Sequence, residues 1–173
     1  MILENNKSVI FSKKLVSDVN ALIEGVSSEQ LFILTDKQTE KLCLPILMED
    51  ERLKNAKVYS MPCGDHDKTI ETVVDIWKFL GENGGTRKSM LINLGGGVVT
   101  DLGGFVANTF KRGIRFINIP TTLLSMVDAA VGGKTGINFN GLKNEIGVIN
   151  PAETVVIYPD FLRSLDTENL LSG

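Results

Sequence analysis

The sequence predicts an α/β fold, a parallel sheet covered by helices, and three observations carry that expectation. Short apolar runs alternate with stretches of helical periodicity along most of the 173 residues. The run Gly95-Gly96-Gly97-Val98-Val99-Thr100-Asp101 follows directly on the apolar stretch Met90-Leu91-Ile92-Asn93-Leu94 and reads as a strand, a tight turn and a helix start. Small or polar residues, namely Asp36, the Gly95 turn and Pro120-Thr121-Thr122, fall at the carboxyl ends of predicted strands. In parallel sheets those ends face the ligand.

Taken in order, Lys7 to Phe11 is the first expected strand, and Ser12 to Ile23 has Leu15, Val19, Leu22 and Ile23 at helical spacing before a break at Gly25. Leu31 to Leu34 is a buried strand that stops at Thr35-Asp36. Glu40 to Met48 reads as helical in spite of Pro45, and Lys57 to Met61 as another strand. Lys68 to Phe79 carries Ile70, Val73, Val74 and Trp77 on one stripe, continued by Leu80, so Trp77 is expected in the core. The strand Met90 to Leu94, the glycine turn, a helix through Ala107 and the strand Ile114 to Ile119 follow.

Glycines without Cβ let a ligand's phosphates approach the backbone, and the first amides of the next helix point at the anion, so a dinucleotide is the leading ligand. The spacing departs from G-x-G-x-x-G, with Thr100 where the third glycine would stand. Asp36 suits either a ribose diol or a helix N-cap. Thr100 and Asp101 could cap the helix after the turn, or Asp101 could serve the redox half of a cofactor. A second dense region, Thr121 to Asn144, holds Asp128, Gly132-Gly133-Lys134-Thr135-Gly136, Asn138, Lys143 and Asn144. A P-loop fails because position 128 is aspartate rather than glycine. What remains is a polar loop suited to a small polyanionic or polyhydroxylated substrate, or a solvated loop with its lysines in water.

The formal charge of −3 and pI near 5.2 leave no electrostatic footprint for nucleic acid. No apolar run approaches the roughly 20 residues of a membrane span, and the N-terminus has no signal-peptide pattern, so a cytoplasmic location is expected. Cys43 and Cys63 form no metal or disulfide pattern and read as reduced thiols. His66, the lone histidine, reads as a surface or hydrogen-bonded residue rather than a ligand.

The blocks Gly95 to Ala107, Lys111-Arg112-Gly113-Ile114-Arg115-Phe116, Pro120-Thr121-Thr122-Leu123-Leu124 and Val127 to Gly136 resemble, in order, the 3-dehydroquinate synthase family of sugar-phosphate cyclases. Pro62-Cys63-Gly64-Asp65-His66-Asp67-Lys68 is similar to the family's Pro-x-Gly-Glu-x-x-Lys segment, with Asp65 in place of glutamate. The resemblance implies a Rossmann-like NAD-binding domain over residues 1–158. It implies NAD contacts at Asp36, Asp65, Lys68, Gly95, Gly96, Gly97, Val98, Asp101, Thr121 and Thr122. Asp128, Lys134, Lys143 and Asn144 would bind the hydroxyls, carboxylate and phosphate of a seven-carbon sugar-acid phosphate. Arg112 would reach a neighbouring subunit's site, which implies a homodimer.

The family also uses a divalent metal, zinc or cobalt, and this chain has no site for it. Residues 159–173 resemble the approach to the family's helical metal-binding domain, absent here, so the chain is expected to be an N-terminal part that does not turn over alone. Other cyclases, of the 2-deoxy-scyllo-inosose or valiolone synthase type, NAD-dependent polyol dehydrogenases and a non-catalytic nucleotide-binding module stay open beside this reading.

Overall fold

The structure, a computed structural model, describes residues 2–3 and 7–164. Its strands are β1 (Ile2–Leu3), β2 (Lys7–Phe11), β3 (Leu31–Asp36), β4 (Lys57–Met61), β5 (Met90–Gly95), β6 (Arg115–Pro120), β7 (Lys134–Phe139), β8 (Leu142–Ile149) and β9 (Thr154–Ile157). The helices are α1 (Leu15–Leu22), α2 (Lys37–Leu42), α3 (Leu44–Leu47), α4 (Ile70–Glu82) and α5 (Gly97–Thr109). The main sheet runs β1-β2-β9-β6-β5-β3-β4, with every pair from β2 to β4 parallel and β1 antiparallel at one edge. The α/β class is the expected one.

The central strands are apolar without alternation because helices cover both faces. All six residues of β5 are buried, as are the first five of β3. On α4 the stripe Val73, Ile76 and Leu80 is fully buried, Trp77 packs half-buried against the core, and the Thr69 hydroxyl caps the helix at the Thr72 amide. The sequence reading made one helix of Glu40 to Met48. The chain instead breaks at Cys43, and Pro45, which has no amide hydrogen to donate, sits in the first turn of α3.

Two differences matter for the site. The stretch from Thr121 to Asn144, read as a loop, contains a π-helical turn, Ser125–Ala129, and then the antiparallel hairpin β7–β8, a second sheet. Asn140 and Gly141 both have positive φ at its tip, the geometry of a two-residue hairpin turn, for which Asn-Gly is the strongest short sequence signal. Gly136 faces Gly147 across the ladder, where a Cβ on Gly147 would lie 2.1 Å from the Thr135 carbonyl oxygen. The sequence reading also left Thr154 to Ile157 unassigned. That buried run is β9, which fills the gap between β2 and β6. Of the expected segment 159–173, a 3₁₀ turn over Pro159–Ser164 is described and 165–173 lie outside the described residues.

Candidate nucleotide and substrate site

From β3 the chain crosses to β4 on one side, then returns to β5 and moves through β6 on the other. The sheet therefore reverses direction between β3 and β5, and the crevice beyond their carboxyl ends is where a parallel sheet binds its ligand. A cleft of about 260 Å³ lies there, lined by Asp36, Cys63, Gly96, Gly97, Val98, Thr121 and Thr122 among others.

At its floor Gly96 precedes α5, and no side chain caps that helix. The amides of its first turn have no partner within the helix, and they sit at the positive end of the helix dipole. A Cβ on Gly96 would lie 3.1 Å from Thr122 Cγ2, so only a bare backbone keeps this cradle open. Thr121 donates its amide to the Gly95 carbonyl at 3.0 Å, which ties the ends of β5 and β6 together under the cleft. Thr122 spends its hydroxyl on the following turn, 2.9 Å from Ser125 Oγ. These features suit a diphosphate on the α5 amides, so the residues present fit a dinucleotide.

Asp36 is both an N-cap and a wall of the cleft. Its Oδ1 accepts the amides of Gln38 and Thr39 at 2.9 and 2.8 Å, and its Oδ2 accepts the Thr39 hydroxyl at 2.9 Å. Cys63, exposed, lies with Sγ 3.5 Å from the same Oδ1. Thr100 and Asp101 do not cap α5, because the helix begins at Gly97 and both lie inside it.

A second cavity of about 670 Å³ gathers Asp101, Asp128, Lys134 and Asn144, with Leu124, Val148 and Ile149. The π-helical turn supplies Asp128 and the hairpin supplies Lys134 and Asn144. Asp101 is one turn into α5, where burial pushes its carboxyl above the ordinary aspartate range despite the Lys68 ammonium beside it; Asp128 and Asp65 push the same way. Lys68 is buried, donating to Asp101 Oδ2 at 2.6 Å and to Asn144 Oδ1.

The other expected residues are distributed differently. Asp65 and Lys143 pair with each other at 2.7 Å beside the hairpin tip, and the Lys143 contact holds the Asp65 carboxyl below its usual value. Both line a further cavity with His66 and Asn138 rather than either of the first two. Arg112 follows the end of α5, roughly 20 Å along a 13-residue helix from the cradle, just before the amino end of β6. It cannot reach the cleft of its own chain. Asn138 was noted in the sequence without a role; the Asn-Gly turn was the signal that would have placed it on a hairpin.

Among the described residues no group of three His, Cys, Asp or Glu side chains could hold a metal ion. No helix among them is long and apolar enough to cross a membrane.

The 3-dehydroquinate synthase N-terminal family matches residues 58–172. The 3-dehydroquinate synthase of Parabacteroides distasonis is 48% identical over 169 residues, covering 98% of this chain and 48% of that protein. The chain thus spans about half the length of such relatives. Among solved structures, ValA (2-epi-5-epi-valiolone synthase) from Streptomyces hygroscopicus, with NAD+ and Zn2+ bound, superposes with a TM-score of 0.82 at 28% identity, covering 98% of this chain and 47% of that one. A 2-deoxy-scyllo-inosose synthase complexed with carbaglucose-6-phosphate, NAD+ and Co2+ shares the fold, with a TM-score of 0.78 at 24% identity over 89% of this chain and 43% of that one. The glycine cradle and the blocks from Gly95 to Gly136 fall inside the matched span, and the chain belongs to the 3-dehydroquinate synthase N-terminal family.

Proposed function

We propose that this chain is the nucleotide-binding half of a cytoplasmic 3-dehydroquinate synthase. That lyase of the shikimate pathway converts 3-deoxy-D-arabino-heptulosonate 7-phosphate to 3-dehydroquinate and phosphate. The observation that carries the reading is the adjacency of two sites. An open glycine cradle lies at the carboxyl ends of β3 and β5, and a polar cavity with two carboxylates and a lysine is reached through α5. NAD, when bound, supplies a reversible two-electron acceptor.

The chain's own groups have separable parts in this reading. The first amides of α5 hold the diphosphate, and Asp36 keeps one face toward a ribose while its other contacts cap α2. Asp101 stands at the passage from cradle to cavity. Asp128 accepts from a substrate hydroxyl, Lys134 and Asn144 in the same cavity take its anionic groups and remaining hydroxyls, and Lys143 joins them on leaving its exposed pair with Asp65. Arg112, too far from its own cleft, completes the partner's site in a homodimer. The described residues offer no set of metal ligands, so a zinc or cobalt ion would be held by the other half of the enzyme. Closure of the last strand at Ile157 supports a domain boundary near residue 158.

The test is orthophosphate release from the seven-carbon phosphate by the complete protein with NAD and zinc or cobalt, while reduced cofactor is followed by absorbance. Stoichiometric phosphate without accumulating NADH is expected. Accumulating NADH without phosphate would replace the reading by a polyol dehydrogenase, and activity only on a different sugar phosphate by another cyclase. The 173-residue chain alone is expected not to turn over.

A further inference from the structure

We infer that Asn138 is a positioning residue, the joint that sets Lys68 for the nucleotide and Asn144 for the adjoining substrate cavity; the inference rests on the NAD-binding function proposed above. Asn138 lies where the ladder between β7 and β8 slips register, between Ile137 and Phe139, so its backbone amide is free to bond outside the hairpin. It contacts three members of the expected site. Its backbone amide donates to the Lys68 carbonyl at 2.8 Å, its Nδ2 donates to the Asp65 carbonyl at 2.9 Å, and its Oδ1 accepts the Asn144 amide at 3.0 Å.

The Asn144 contact has a geometric consequence. Asn144 has φ of 54°, a left-handed conformation inside a strand, which asparagine tolerates better than most residues. The strand alternation is interrupted there, and the Asn144 side chain reaches Lys68 Nζ, whose other partner is Asp101. Asn138 thereby ties the loop after β4 to the hairpin and presents Lys68 and Asn144 together beside α5. A residue that only stabilised the hairpin would have no need to bond two carbonyls of the 65–68 segment, one through its backbone amide and one through its side chain.

The experiment uses the complete protein and two variants, N138A and, as a hairpin control, F139A, whose parent side chain lies at the hairpin tip and is partly exposed. NAD affinity is measured by calorimetry, and the Lys68 ammonium is observed by proton–nitrogen NMR without ligand. Expected for N138A is at least about a tenfold rise in the NAD Kd together with loss of the protected ammonium signal, in a chain that remains folded by circular dichroism. F139A is expected to lower Tm and leave both readouts unchanged. Wild-type affinity and an intact signal in N138A would overturn the inference alone, as would equal losses in the two variants. No NAD binding by the wild-type chain would overturn the proposed nucleotide function and this inference with it. Should N138A fail to fold, N138S is measured in its place against the same expectations.

Discussion

The Lys68 ammonium lies 2.6 Å from an Asp101 carboxylate oxygen, with the two side chains 4% and 21% exposed. The pair joins the loop after β4 to the second turn of α5 and stands between the nucleotide cradle and the cavity that holds Asp128. Removing one member of a buried pair leaves the other charge without compensation, which costs more than removing both. Lys68→Met is therefore expected to lower stability by about 3 kcal/mol. The double variant Lys68→Met with Asp101→Asn is expected to recover most of that loss in urea denaturation. Equal losses in single and double variants would mean that the pair itself contributes nothing.

Asp101 and Asp65 give stability opposite dependences on pH. Burial raises the Asp101 carboxyl, so the folded state prefers it protonated, and its contribution declines as pH rises through the unfolded and then the folded pKa. Lys143 lowers the Asp65 carboxyl, so its contribution is full above the unfolded pKa and is lost as pH falls through the folded one. In a carbon-detected NMR titration, Lys143→Met is expected to move Asp65 up toward the ordinary aspartate value. Both side chains are largely exposed, 75% and 43%, so the loss at neutral pH should stay below about 1 kcal/mol. An unmoved Asp65 would show that the ion pair does not form in solution.

Gly96→Ala separates ligand binding from folding. Gly96 has φ of −73°, which alanine adopts freely, and the added methyl would meet the Thr122 side chain, most closely Cγ2 at 3.1 Å. Thermal unfolding should change by less than about 1 kcal/mol. NAD affinity should fall more than about tenfold, because the methyl occupies the space a phosphate needs. Unchanged affinity would place the nucleotide elsewhere.

Gly103 tests the packing that sets α5 on the sheet. A Cβ there would lie 2.1 Å from Asn93 Oδ1, an atom buried without a hydrogen-bond partner, while Asn93 Nδ2 donates to Asn118 Oδ1 at 2.9 Å. Gly103→Ala is expected to cost about 2 kcal/mol or more by overpacking. Adding Asn93→Ala should recover part of it, since the clashing oxygen goes. No recovery in the double variant would mean that the strain lies elsewhere.

Much of the architecture was legible because its signals are local. Strands β2, β4, β5 and β6 lie within a residue or so of the apolar runs that predict them; β5, buried along its whole length, must be largely apolar, while the outer β2 and β4 carry β-branched and aromatic residues between turn signals. The hairpin was missed because β7 and β8 are interrupted by Gly136, Gly147 and the polar residues of the site, which dilute the apolar pattern of the strands. Strand β9 is only four residues long, and a short apolar run does not declare which neighbours it will separate. The glycine turn and Asp36 stood out because a cradle and a strand end each need particular residue types at fixed local spacing.

The sequence by itself therefore determined the α/β class and the place of the glycine turn between β5 and α5, both of which depend on neighbours along the chain. Tertiary structure alone decided the partners. Lys68 and Asp65, both expected at the nucleotide, take different partners: Lys68 lies against Asp101, 33 residues away, and Asp65 is held by Lys143. Arg112 is carried to the amino ends of the strands, opposite the cleft, by the length of α5. Charges pair by proximity in space, and that proximity comes from strand order and the fold of the hairpin across the sheet, quantities that no local spacing of residues encodes.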